Sequence, residues 1–302
     1  MSIIDRISSS KPILLDGALG TLLSQESQSH ALWSTHAVVV EPRTIESIHE
    51  EYIQNGAELL LTSTYQTSEA NVKKWFKDED YSEVVKRSVD LAYEAKMKCN
   101  GGRQVFIAGS VGPFGASLAN GAEYTGDYGN ITDEELVEFH RKRLDILCDD
   151  RRVDIIAWET VPSLQEVRVL TRMMNEREKP YYLSFSVKED TLADGTPLDE
   201  FVTESLKGKN LTCIGVNCLG SSSSLHWLSK LRPFGKPLVV YPNSGEIYRN
   251  GKWEDAAKVE ALSWVDYVEQ LHAIGNVKII GGCCRTTPKT INAIGEAINK
   301  VW

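Results

Sequence analysis

Eight short, nearly continuous apolar runs recur along this chain, and their rhythm limits the folds open to it. They fall at residues 12–16 (PILLD), 58–65, 105–112, 155–160, 181–187, 213–218, 237–242 and 277–282. Most are rich in β-branched residues and lack the apolar–polar alternation of a half-exposed strand. That is the signature of parallel strands covered on both faces. Between them lie stretches of helical spacing at 43–56, 82–99, 132–150, 163–177, 198–207, 222–231, 260–274 and 288–300. In the first, Ile45, Ile48, Tyr52 and Ile53 share one face and Asn55-Gly56 marks the stop. Thr132 with Glu135 reads as a capping box, and Pro288 suits a first helical turn. Eight strands alternating with eight helices predict a single α/β domain over 1–302, a (β/α)8 TIM-type barrel. A doubly wound open sheet is the alternative.

The connections are unequal. Those that follow strands, at 17–40, 113–131, 188–197 and 242–258, are long and glycine-rich, whereas those leading back into strands are short. In a barrel the long set lies at the C-terminal face, where catalytic residues gather.

Composition narrows the chemistry. A formal net charge of -9 opposes a phosphate-backbone binder, so no nucleic-acid partner is expected. No apolar run approaches a membrane span, and the first residues lack the features of a secretory leader. A cytoplasmic monomer acting on small molecules is the expectation, with its six cysteines reduced.

Three of those cysteines stand together at one rim of the expected barrel. Cys218 closes the sixth run in GVNC, and Cys283-Cys284 close the eighth in GGCCRTTP. Three protein ligands with one open position is the arrangement of a catalytic zinc, and soft thiolates select that ion over magnesium or calcium. Neighbouring strand residues point to opposite faces, so Cys283 and Cys284 need a local irregularity to reach one ion. Gly281-Gly282, through unusual dihedrals, is the expected source. Ordinary buried cysteines remain the competing reading of all three. Cys99, Cys148 and Cys213 have no such context, and Cys213 belongs at the other end of its strand. The six histidines show neither HxH nor HExxH spacing, and no Walker loop or GxSxG elbow is present.

DGALGT at 16–21, GVNC at 215–218 and GGCCRTTP at 281–288 together resemble the homocysteine S-methyltransferase family, over essentially the whole chain. LWS at 32–34, GPFGASLANGAEYTGDYG at 112–129 and YPNSGE at 241–246 resemble its S-methylmethionine-dependent branch. The resemblance implies a barrel that carries Zn2+ on Cys218, Cys283 and Cys284 and methylates homocysteine to methionine. It further implies that Asp16 and Gly17 contact homocysteine, that Glu159 receives its amino group, and that Thr62 and Thr64 lie against the amino acid. Asn217 stands with this set, although satisfying backbone groups at a strand end is its simpler role. Glu123, Tyr124 and Tyr128, on the loop that marks the branch, are assigned to the sulfonium donor, S-methylmethionine or S-adenosylmethionine. Betaine as donor is the less expected variant, since the chain stops after its eighth helix. Selenocysteine as acceptor and a non-catalytic zinc or redox-sensing barrel stay open.

Overall fold

The computed structural model describes residues 1–99, 101–245, 247–249, 252–254 and 262–302. Glu246 of the 241–246 motif, parts of the 242–258 loop and the first two residues of the 260–274 helix lie outside the described residues.

Eight parallel strands form one sheet: β1 (Ile13–Leu14), β2 (Leu59–Leu61), β3 (Phe106–Val111), β4 (Ile155–Val161), β5 (Tyr181–Phe185), β6 (Leu211–Asn217), β7 (Leu238–Tyr241) and β8 (Val277–Ile280). Each pairs with its neighbour in sequence, and β8 returns to β1 in the register Ile13↔Ile279. The remaining gap closes through the parallel bridge Leu15↔Leu59, flanked by Glu58 N–H to Leu14 O at 2.7 Å and Asp16 N–H to Leu59 O at 3.0 Å. The sheet is therefore a TIM-type barrel and not a doubly wound sheet.

Alternation along the strands sorts side chains into two apolar cores. Ile13, Phe106, Ile155, Tyr182, Cys213 and Val239 face the barrel interior, whose N-terminal end is plugged by Ile3 and Ile7 of α1 (Ile3–Ile7). The intervening residues, such as Ile156, Trp158, Leu183 and Ile214, meet the surrounding helices. Trp158 is fully buried there, and truncating it to alanine would cost roughly 3–5 kcal/mol.

The long helices fall close to the expected spans: α4 (Pro42–Gln54), α6 (Tyr81–Cys99), α8 (Asp133–Asp149), α9 (Leu164–Asn175), α10 (Leu198–Ser205), α11 (Ser221–Leu231), α12 (Trp264–Ile274) and α13 (Pro288–Val301). Thr132 and Glu135 form the expected capping box on α8, and Pro288 opens α13. The loops after strands are less irregular than their composition suggests. The first holds α2 (Gln25–Ser29) and α3 (Trp33–Val40), the second α5 (Glu69–Trp75) and the third α7 (Phe114–Leu118). Serine side chains cap α2 and α5, satisfying amides that short helices would otherwise expose. Among the described residues no helix is long and apolar enough to cross a membrane.

Candidate active site

Toward the C-terminal face the interior turns polar while keeping the strand parity. The rows 106–108–110, 155–157–159, 182–184 and 213–215–217 end inward on Ser110, Glu159, Ser184 and Asn217, all buried. Buried polar groups are almost always hydrogen-bonded, so these must find partners in one another, in ordered water or in a ligand. Asn217 is fully engaged. Its Oδ1 accepts from Thr160 N–H at 3.0 Å and Ser184 Oγ–H at 2.7 Å, and its Nδ2 donates to Thr160 Oγ1 at 2.8 Å. That agrees with its simpler role, bracing strand ends. The same Nδ2 lies 4.0 Å from Cys283 Sγ.

The three cysteines stand directly above this layer. Cys218 follows β6 in the left-handed region (φ 59°), anchored by its N–H to Tyr241 O at 3.3 Å. β8 ends at Ile280, so Cys283 and Cys284 lie beyond it instead of closing it. Cys283 N–H donates to Pro242 O at 2.7 Å, and Thr286 N–H returns to Cys283 O at 3.1 Å with Arg285 left-handed (φ 66°). This turn brings two adjacent side chains to one point. Glycine dihedrals are not the cause, contrary to expectation: neither Gly281 nor Gly282 has positive φ. They are needed for closeness, because a Cβ on Gly281 would stand 2.6 Å from Leu15 Cβ and one on Gly282 would stand 2.4 Å from Thr286 Oγ1.

The sulfur separations are 2.7 Å for Cys218–Cys283, 3.7 Å for Cys218–Cys284 and 4.0 Å for Cys283–Cys284. Thiolates ~2.3 Å from one ion in a tetrahedron stand about 3.8 Å apart. Two of the three separations already match, and the third needs about an ångström of opening. Among the described residues this is the one group of three such side chains that could hold a metal ion. Its electrostatics agree. Hydrogen bonds from Cys283 and Cys284 pull the Cys218 thiol well below its ordinary range, and donating those bonds to Cys218 holds both partners above theirs. Three thiolates this close repel one another, so ionising all of them would need a cation among them.

Two acids lie close by. Asp16 Oδ2 accepts Leu61 N–H at 2.9 Å, while its buried Oδ1 has no partner. Burial pushes its carboxyl well above the usual range, with Glu159 adding to the effect. Glu159 accepts from Ser110 Oγ–H, not from an arginine, and burial raises it to about 7. Two buried carboxyls raised together favour a cationic partner. Gly17 keeps the turn beside them tight, since a Cβ there would meet Thr286 Oγ1 at 2.8 Å and Tyr52 Oη at 2.9 Å.

Thr62 and Thr64 are bonded within the protein. Their hydroxyls bond each other at 2.7 Å, Thr62 Oγ1 accepts Ser110 N–H at 2.9 Å, and Thr64 Oγ1 donates to Ser110 O at 2.6 Å. They fasten β3 at the rim. Glu123 and Tyr124 do stand near the cysteines: Glu123 is buried with an unpartnered Oε2, and the charge of Cys218 acts on both Glu123 and the half-exposed Tyr124. Tyr128 does not join them, because its hydroxyl donates to Glu166 at 2.7 Å behind the strands. Tyr65 escaped the sequence reading, yet its hydroxyl lies among Cys218, Glu123 and Thr160. Its position in one turn with Thr62 and Thr64 was the only signal.

The C-terminal face of this barrel thus gathers three cysteines that could hold a metal ion beside two buried carboxyls, the makings of an enzyme site. Residues 13–298 match the sequence profile of the homocysteine S-methyltransferases. The chain is 33% identical to homocysteine S-methyltransferase 3 of Arabidopsis thaliana, covering 95% of this chain and 89% of that one. It is also 33% identical to the selenocysteine methyltransferase of Astragalus bisulcatus, over 95% and 92%. The metallated form of the Escherichia coli homocysteine methyltransferase MmuM superposes with a TM-score of 0.82, at 32% identity and 96% coverage of each chain. The chain belongs to the homocysteine S-methyltransferase family, and it is a methyltransferase.

Proposed function

We propose that this enzyme moves a methyl group from S-methylmethionine, with S-adenosylmethionine as a second donor, to the sulfur of L-homocysteine, giving methionine. The observation that carries the proposal is the convergence of Cys218, Cys283 and Cys284 above a buried pair of carboxyls, Asp16 and Glu159. The donor set, three soft sulfurs with one side open, fits zinc. Bound zinc would supply the Lewis acidity that keeps a thiol ionised at neutral pH. A free thiol, with a pKa near 8.5, is mostly protonated there.

The chain's own residues do the rest. Asp16 and Glu159 receive the ammonium of the amino acid, and Gly17 leaves the turn close enough for Asp16 to reach it. Asn217 and the Thr62–Thr64 pair hold the strand ends on which these groups ride. Glu123 offers a carboxylate, and Tyr65 and Tyr124 aromatic rings, to a sulfonium, a soft cation suited to both. In the transfer a carbon–sulfur bond forms to homocysteine as the methyl–sulfonium bond breaks. The electron pair of the broken bond stays on the departing sulfur, which leaves as a neutral thioether. Charge is neutralised, so a site that excludes water favours that step.

Purified protein, reconstituted with zinc and given homocysteine with each sulfonium, should form methionine, fastest from S-methylmethionine. Absence of product with every sulfonium would defeat the proposal. Selenocysteine is a second acceptor, favoured by the equal identity to the Astragalus enzyme, and the same assay with selenocysteine measures it.

A further inference from the structure

Behind the strands, between β4 and helices α8 and α9, lies a polar chain that touches neither the cysteines nor the two acids. Glu166 of α9, wholly buried, accepts three hydrogen bonds: from Phe114 N–H at 2.8 Å, from Tyr128 Oη–H at 2.7 Å and from His140 Nε2 at 2.8 Å. On the other side of His140, Nδ1 sits 3.1 Å from an Arg143 nitrogen. Arginine only donates, so Nδ1 accepts and Nε2 carries the proton that Glu166 receives. His140 is thereby a neutral relay between a buried cation and a buried anion. Arg143 also donates from its two terminal nitrogens to main-chain carbonyls: Thr64 at 3.1 Å, Tyr65 at 3.0 Å, Thr67 at 3.2 Å and Gly112 at 2.9 Å.

A buried charge pair is seldom more stable than apolar residues of the same volume. What apolar residues could not do is grip four carbonyls and a tyrosine hydroxyl. The gripped segments are two rim loops, one carrying Tyr65 and the other, 112–128, carrying Glu123 and Tyr124. We infer that Glu166, His140 and Arg143 are positioning residues that hold these loops against the open side of the cysteine cluster, with Tyr128 as the latch on the second loop. This rests on the reading of those loops as the methyl-donor side. It assigns Tyr128 to Glu166 in place of the donor.

Glu166→Gln, Tyr128→Phe and the double variant test it, each compared with wild type for zinc content, for KM of each substrate and for amide hydrogen exchange. Losing a hydrogen bond to a buried charge should raise donor KM about tenfold in each single variant. Homocysteine KM and zinc content should stay within twofold, and peptides covering 112–128 should exchange faster while β4–β6 do not. Because both changes cut one latch, the double variant should be no worse than the more severe single. Additive losses would mean that Tyr128 meets the donor itself and would overturn the inference. So would unchanged exchange in 112–128, or a parallel rise in both KM values with a fall in melting temperature. Were wild type to transfer no methyl group, the proposed function would fall while the exchange comparison would still decide this one.

Discussion

The Gly282 N–H donates to the Asp16 carbonyl at 3.1 Å, so the turn carrying Cys283 and Cys284 and the turn carrying Asp16 are one hydrogen-bonded unit. That contact is possible because Gly282 has no side chain. A Cβ there would stand 2.4 Å from Thr286 Oγ1, which itself accepts Ala18 N–H at 3.1 Å and donates to Cys283 O at 2.7 Å. Gly282→Ala is therefore expected to displace the cysteine turn while leaving the barrel intact. Bound zinc should fall at least severalfold with unchanged circular dichroism; full zinc retention would show that the turn has room.

The cysteines differ in role by position. Cys283→Ser should lose about ninety per cent or more of the zinc and all measurable methyl transfer, because a neutral hydroxyl is a far poorer ligand for a soft ion. Cys213→Ala, in the apolar barrel interior, should keep both. Zinc analysis beside the methionine assay checks the pair, and treatment with a chelator should reproduce the Cys283→Ser loss in wild type.

Glu159 connects stability and binding with opposite signs. Its folded pKa of about 7 lies above the ordinary 4.5, so the empty, metal-free protein loses stability as pH rises from 4.5 to 7. Each unit is worth about 1.4 kcal/mol, giving about 3.5 kcal/mol at most. Glu159→Gln should thus stabilise the metal-free protein at pH 8, seen as a higher urea midpoint. It should also raise homocysteine KM by about ten- to a hundredfold, the worth of a charge-assisted hydrogen bond. In wild type that KM should climb as pH falls through 7, where the carboxyl takes up a proton, and the variant should lack the rise.

His49 on α4 is buried with neither ring nitrogen bonded, and burial lowers it to about 4 from the usual 6.5. Unfolded chains take up this proton below 6.5 while the folded chain resists until about 4. Stability is therefore lost as pH falls across that window, by about 3 kcal/mol from this group. His49→Leu should remove that share of the acid sensitivity. Urea unfolding of both proteins at pH 7 and pH 4.5 measures the difference; equal losses in the two would contradict it.

Residues and spacing alone were enough for the eight strands, the eight long helices and the placing of Cys218, Cys283 and Cys284 at one rim. Those properties follow from local periodicity and from the fact that every strand of such a barrel points its C-terminal end the same way. Asp16 and Glu159 were legible through the motifs around them. What local pattern could not decide was the partner each polar group takes across the fold. Tyr124 and Tyr128 sit four residues apart on one loop, yet one feels the charge of Cys218 and the other bonds Glu166. Tyr65 enters the site, whereas Thr62 and Thr64 beside it turn to Ser110. The glycines before the cysteines were expected to bend the chain and are instead gaps into which Leu15 and Thr286 fit. Such choices depend on contacts between residues dozens to hundreds of positions apart, where a buried donor must find an acceptor, and only the closed barrel brings those pairs together.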